Sequence, residues 1–309
     1  MKKLLILVVI ALLKVILLPT NASAQQDAQY TQYMYNMNIL NPAYAGTKEG
    51  TLSVSLLGRT QWVGIPGAPQ TAVLSAHSSI TERMGLGLSV LADKIGPVNE
   101  QYVFADYSYT IPMGYYDNLS FGVKAGVSMI NASLTDLWTV VEDDTSLRSN
   151  INNLQPNFGF GLFYFSDIYY VGLSVPNLLK TKYLETDEEF VTNVSKKSHM
   201  FLTGGYVFDL SYDWQFKPSI MAKATVGTPL SIDASANFLF DERYEVGASY
   251  RWDDSVSLLL NAKITDNLRV GYSYDFTTTA LNKFNSGSHE IILLFDLVTS
   301  YEIVSPRFF

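Results

Sequence analysis

The 309-residue chain carries 21 Lys and Arg against 29 Asp and Glu, contains no cysteine, and is rich in Tyr (20), Phe (17) and Gly (20). The acidic balance excludes nucleic acid as a partner, because phosphates need a basic face. The absence of cysteine excludes disulfide stapling, and His77, His199 and His289 lack metal-ligand spacing, so neither a metal nor another cofactor is expected.

Residues 1–24 have the form of a secretory signal. Lys2 and Lys3 precede the apolar run Leu4–Leu18, and Ala22-Ser23-Ala24 supplies small residues for cleavage. Lys14 interrupts the run and argues against a spanning helix, which needs about 20 apolar residues. Cleavage after Ala24 would remove three lysines and no acids, leaving a formal charge of −11. An exported chain without disulfides must be held in another way, and a closed hydrogen-bonded barrel leaves no strand edge unpaired.

The next segment, Gln29–Gly46, reads QYTQYMYNMNILNPAYAG. It shows neither a helical stripe nor strand alternation. Tyr30, Tyr33, Tyr35 and Tyr44 offer flat surfaces with hydrogen-bonding tips, and Gln29, Gln32, Asn36, Asn38 and Asn41 offer uncharged donors and acceptors. Asn41-Pro42 and Ala45-Gly46 are turn signals. The expectation is a plug, residues 25–49, inside or across the mouth of a barrel, either displaceable or a permanent filling. A disordered N-terminus is the alternative, and the tyrosine density speaks against it.

From residue 50 onward, period-two alternation dominates, in segments of about 10 residues divided by turns, which is the pattern of a transmembrane barrel. In Leu119–Met129 the odd positions Leu119, Phe121, Val123, Ala125, Val127 and Met129 are mostly large and apolar, while Ser120, Gly122, Lys124, Gly126 and Ser128 are small or polar. The pattern predicts an all-β, antiparallel barrel of about 14 strands (range about 12–16) over residues 50–297, with a periplasmic tail over 298–309. Short connections alternate with a set that holds every long one, 59–69, 131–155, 176–198 and 278–286, as expected for periplasmic turns and outer loops. Lys124, Lys217, Lys223, Asp233, Arg243, Glu245, Arg251, Lys263, Arg269 and Asp275 fall on the polar parity. A Lys or Arg facing lipid costs about 2–4 kcal/mol at mid-membrane, so these charges are expected in the lumen or near a rim. A soluble β-sandwich or propeller is the runner-up, but its outer face should carry more charge than Ser and Gly.

Among the loops, Trp62 and Pro66 lie in a Pro/Gly-rich turn that reads either as an outer contact for a partner or as an interfacial Trp followed by a stiff turn. Trp138, in the longest loop, poses the same choice. The acidic runs Glu142–Asp144 and Glu185–Glu189 lack the spacing of a calcium loop and read as solvated charge. Ser288-His289-Glu290 does not make a catalytic pair, since adjacent strand residues point to opposite faces, and no enzyme activity is expected. The final Phe308-Phe309 could serve barrel assembly or a periplasmic contact, and the last strand is an equally good assembly signal.

Four stretches, Gln29–Gly46, GRTQWVGIPGAPQT (Gly58–Thr71), GYSYDFTTTALNKFNSGSHEI (Gly271–Ile291) and the terminal SPRFF (Ser305–Phe309), together resemble the PorP/SprF family of type IX secretion and gliding-motility membrane proteins. VGLSVPNLL (Val171–Leu179) fits as well. The resemblance implies an outer-membrane barrel, integral in the lipid bilayer, that works with the type IX secretion machinery. It implies roles in delivering or attaching a large surface adhesin with a C-terminal sorting domain, in some systems together with a periplasmic peptidoglycan-binding lipoprotein. Two other readings stand beside it: a FadL-like barrel for uptake of apolar solutes, by analogy of architecture, and a purely structural anchor to peptidoglycan.

Overall fold

The computed structural model describes residues 28–133, 151–179, 181–182, 195–196, 198–225 and 228–298. The predicted leader, Trp138, both acidic runs and the tail beyond Val298 lie outside the described residues.

The alternating segments form the 14 strands of a closed antiparallel barrel. They are β1 (Thr51–Thr60), β2 (Gln70–Ser79), β3 (Met84–Ile95), β4 (Val98–Pro112), β5 (Asn118–Ala132), β6 (Ile151–Phe165) and β7 (Tyr169–Val175). They continue as β8 (His199–Tyr206, extended by Phe208–Asp209), β9 (Trp214–Thr225), β10 (Ser231–Phe240), β11 (Tyr244–Arg251), β12 (Ser255–Lys263), β13 (Leu268–Thr277) and β14 (Ser288–Val298). Each pairs with its sequence neighbours, and β14 closes the wall on β1, from Thr51 opposite Val298 to Thr60 opposite His289. A two-residue ladder, Thr181–Lys182 with Ser195–Lys196, lies apart from the wall in the β7–β8 connection. The β6–β7 ladder ends at Phe160 opposite Val175; beyond it the loop meets β6 through the Leu178 N–H, which donates to the Phe158 carbonyl.

Side-chain parity separates two media. On β5, Phe121, Val123 and Val127 are exposed, whereas Ser120, Lys124 and Ser128 are buried. Around the wall the outward positions are large and apolar: Leu56, Leu74, Leu88, Val90, Val103, Phe160, Leu202, Ile220, Val246, Leu258 and Leu293 all stand exposed. No described helix is long and apolar enough to cross a membrane; the chain crosses with strands. Hydrocarbon is the solvent that leaves such a belt stable, since a closed barrel also satisfies its backbone groups internally. At the end bearing the short turns, aromatic pairs cluster on β6–β10, including Tyr169 with Tyr206, Phe208 with Phe216, and Trp214 with Phe240. Such rings suit the interfacial level of a bilayer.

The end with short turns holds Thr81–Arg83, Met113–Asp117 and Asp241–Arg243, the arrangement expected of the periplasmic end of an outer-membrane barrel. The other end holds every long connection, yet it also has tight ones: Gly96 (φ +55°) with Pro97 between β3 and β4, and Asp253 (φ +57°) between β11 and β12. Arg243 requires a correction. It was expected in the lumen, but it sits exposed in the β10–β11 turn, where Asp241 and Glu242 take positive φ (52° and 49°). That turn pairs Phe240 with Tyr244, so the strand begins one residue later and parity no longer applies to position 243.

Replacing Val123 by Arg puts a cation on the hydrocarbon face, and the expected loss is about 2–4 kcal/mol of unfolding free energy in urea titrations from vesicles. Tyr115→Arg in the fully exposed β4–β5 turn should leave the midpoint unchanged.

Candidate functional site

The lumen is occupied by the chain's own N-terminal segment. Residues 28–50 cross it as three short turns, a 3₁₀ turn Tyr33–Tyr35, an α-helical turn Met37–Leu40 and a 3₁₀ turn Pro42–Tyr44. None is long enough to hold itself in water, so contacts with the wall must fix them. Pro42 starts the last turn, and the Asn41 side chain caps it by accepting the Ala43 N–H at 3.0 Å. Tyr33, Met34, Met37, Leu40 and Ala43 are buried against inward-facing Leu57, Val73, Phe163, Tyr170, Leu259 and Ile292.

Charge fixes the plug at three levels. Near its start, Glu290 accepts the N–H groups of Thr31 (3.0 Å) and Gln32 (2.8 Å). Arg59 bridges Glu290 (3.3 Å) and Asp275 (2.7 Å), and Asp275 takes the Thr31 hydroxyl at 2.8 Å. Beside it, Arg251 pairs with Asp233 at 2.5 Å and donates to the Gln29 side chain (3.0 Å) and the Tyr30 carbonyl (3.3 Å). In the middle, the Tyr35 hydroxyl donates to Glu245, which also faces Lys217 (3.7 Å) and Arg269 (3.5 Å), while Asn261 donates to Tyr35 at 3.0 Å. Across the lumen, Lys124 pairs with Asp106 (2.7 Å), and both bind Asn38. Asn36 accepts the hydroxyls of Ser55 (3.1 Å) and Ser75 (3.0 Å).

Close approach adds shape to charge. A Cβ on Gly122 would lie 2.1 Å from the Ala43 nitrogen, and one on Gly85 would lie 2.2 Å from the Ala45 carbonyl oxygen. Gly46 itself takes φ +68° against Gly85, a conformation that L side chains resist. The wall therefore has seats into which the plug backbone fits.

Of the residues singled out in the sequence, Gln29, Tyr30, Tyr33, Asn41, Pro42, Tyr44 and Gly46 lie on this plug, Tyr33 donating to Ser219 at 3.1 Å and Tyr44 packing edge-on to His77 and Phe163. Lys124, Asp233, Glu245, Arg251, Arg269 and Asp275 line the lumen around it. Trp62 and Pro66 are not part of this site. They sit on the β1–β2 loop at the outer end, where Trp62 is half-buried with φ +46° and its N–H donates to Ser288. That loop is zipped to the β13–β14 loop by Val63 N–H to the Gly287 carbonyl (2.9 Å) and Ser286 N–H to the Val63 carbonyl (2.7 Å). Sequence reasoning missed Arg59, Asp106 and Glu290 as lumen groups. The parity of β1 and β14 could have found Arg59 and Glu290. Asp106 was hidden because both faces of β4 are apolar, Tyr102 and Phe104 facing inward and Val103 and Tyr107 outward.

Two cavities flank the plug. One, toward the periplasmic end, is polar and lined by Asn36, Asn38, Lys48, His77 and Asp296. The other, toward the outer end, is apolar, with Ile39, Leu40, Leu91, Tyr102, Phe104 and Phe201 around it.

The family model described as "Type IX secretion system membrane protein PorP/SprF" matches residues 22–295. The chain belongs to the PorP/SprF family. It is thereby an integral outer-membrane protein and not an enzyme, and no group of His, Asp or Glu among the described residues could hold a metal. None of the curated proteins matches this PorP/SprF chain. Among solved structures, a FadL homologue from Pseudomonas aeruginosa is similar at TM-score 0.50 and 10% identity, over 92% of this chain and 96% of that one. The CymD monoaromatic hydrocarbon channel follows at TM-score 0.47 and 13% identity, over 89% and 94%. These likenesses describe the fold of the PorP/SprF barrel alone.

Breaking a buried ion pair from one side leaves an uncompensated charge, which costs about 3–5 kcal/mol. Glu290→Ala is expected to lower unfolding free energy by about that much in urea titration. Gly122→Leu should lift the plug from its seat without touching a charge: planar-bilayer recordings are expected to show no steady current for the native barrel and measurable conductance for the variant.

Proposed function

We propose that this barrel is an accessory component of type IX secretion that binds a large surface adhesin bearing a C-terminal sorting domain, and delivers it to the outer face or holds it there. The work is binding, without bond chemistry. What supports the reading beyond family membership is the filled lumen. A plug held by Glu290, Arg251, Glu245 and Asp106 leaves no bore for a polypeptide. The cargo then reaches the surface by another route and meets this protein at a rim. The outer rim, with the β1–β2 loop carrying Trp62 and Pro66, the loop of Trp138 and the β13–β14 loop, is the candidate cargo contact. The periplasmic turns and the tail are the candidate contacts for the secretion machinery and for a peptidoglycan-binding lipoprotein.

A second reading, uptake of an apolar solute, has one observation in its favour: the apolar cavity by Leu91, Phe104 and Phe201 lies beside the place where the β6–β7 ladder stops. The polar plug beneath it, set among the ion pairs of the wall, gives such a solute no apolar path onward.

Deleting the gene and comparing cell-surface proteomes tests the two. The adhesin reading expects one or a few large proteins to leave the surface while growth on hydrophobic carbon sources is unchanged. An unaltered surface proteome with impaired uptake reverses the choice. Copurification of the tagged barrel from outer membranes, read by mass spectrometry, is expected to return the missing protein.

A further inference from the structure

The direction in which the plug threads the wall has a topological consequence. Gln29 is held by Gln61, the residue after β1, and by Arg251, the last residue of β11. Both lie at the end of the barrel that carries the long loops. The cavity around Ala28 is completed at the same end by Asp93, Glu100, Pro176 and Asn177. The other terminus of the segment is held at the opposite end. Gly50 N–H donates to Ser79 at the close of β2, Lys48 pairs with Asp296 near the end of β14 at 2.7 Å, and Gly46 N–H donates to His77. Between these anchors the contacts pass from Thr31 and Gln32 on Glu290, near the outer end of β14, through Asn38 on Asp106 in the middle of β4, to Ala45 on Ser108 further toward the other end of that strand. The chain therefore runs from the outer mouth to the periplasm, and only then begins β1.

From this we infer that the plug enters the lumen from its outer mouth, so that its N-terminal end at Ala28 faces the cell exterior beside the long loops. Export signals are removed on the inner side of the outer membrane, so the freed end must be carried across by its own barrel. The seats that Gly85 and Gly122 provide admit backbone only, and the ion pairs around Thr31 and Tyr35 are buried.

The cysteine-free sequence allows a direct test. Single variants Ala28→Cys, Glu49→Cys, Pro66→Cys (outer loop) and Tyr115→Cys (periplasmic turn) are treated on intact cells with a maleimide too large to enter the periplasm, and again after permeabilisation. A28C is expected to follow P66C, labelling on intact cells, while E49C follows Y115C and labels only after permeabilisation. A second arm inserts an epitope between Ala24 and Gln25 and reads antibody binding on the same two preparations, with most of the binding already present on intact cells. Protection of both A28C and the epitope until permeabilisation overturns the inference, and so does failure of both to label in either state. Where the half-buried A28C alone is silent, the epitope arm decides. Neither arm depends on the cargo: a surface-exposed N-terminus with an unchanged surface proteome would sink the adhesin reading and leave this one standing.

Discussion

The structure depends on a small buried cluster in which Glu290 accepts two plug N–H groups while Arg59 holds it against Asp275. Thr31 and Glu290 are 259 residues apart in sequence, so this contact joins the segment that precedes the first strand to the last strand of the wall. A carboxylate in such a place must be paired and hydrogen-bonded or it would cost several kcal/mol. The wall supplies the cation and the plug supplies the N–H donors. Barrel closure and plug seating are thus one event energetically, since a wall of fourteen strands encloses more space than its own side chains fill, whereas about eight strands can fill theirs.

Much of this was legible in the chain. Parity gave the wall, because hydrocarbon outside and polar groups inside impose a period of two on every strand. Leu119–Met129 shows that in isolation, with Val123 exposed and Lys124 buried. The composition of Gln29–Gly46 gave the occupant, because tyrosines and amides suit an enclosed polar space. Register was not legible. That Asp106 stands opposite Lys124, Asp233 opposite Arg251, and Arg59 opposite Glu290 depends on how each turn sets its hairpin and on how β14 meets β1. Arg243 fails for the same reason, since the three-residue turn before β11 removes it from the wall. The wall glycines at the seats read only as small residues until the plug backbone is placed against them.

A barrel wall is fixed by strand number and by the lipid around it, so unrelated contents can share it. Here the contents are the distinguishing part. An apolar cavity exists at the outer end, but the plug below it presents Tyr35, Asn36 and Asn38 to charged and hydroxylated wall positions. Such a surface offers an apolar solute no partner, whereas it satisfies the donors and acceptors of a polar segment.

The absence of charge from Gln29–Gly46, the part of the plug that lies among these pairs, follows from the same accounting. The ion pairs of the mid-lumen join Arg59, Lys124, Lys217, Arg251 and Arg269 to Asp106, Asp233, Glu245, Asp275 and Glu290, so cations and acids are balanced within the wall itself. Three of these pairs lie directly opposite one another on neighbouring strands, where the ladder alone brings them together. A charge on the plug would have to unbalance that set or remain uncompensated in a low-dielectric interior. Amides and hydroxyls avoid the conflict, because each can donate to an acid or accept from a base without adding charge, and backbone N–H groups serve the acids. Asn38 does both at once, donating to Asp106 through its side chain while its carbonyl accepts from Lys124. The wall thus sets the chemistry of the segment that fills it, and QYTQYMYNMNILNPAYAG is the kind of sequence that a charge-balanced lumen can hold.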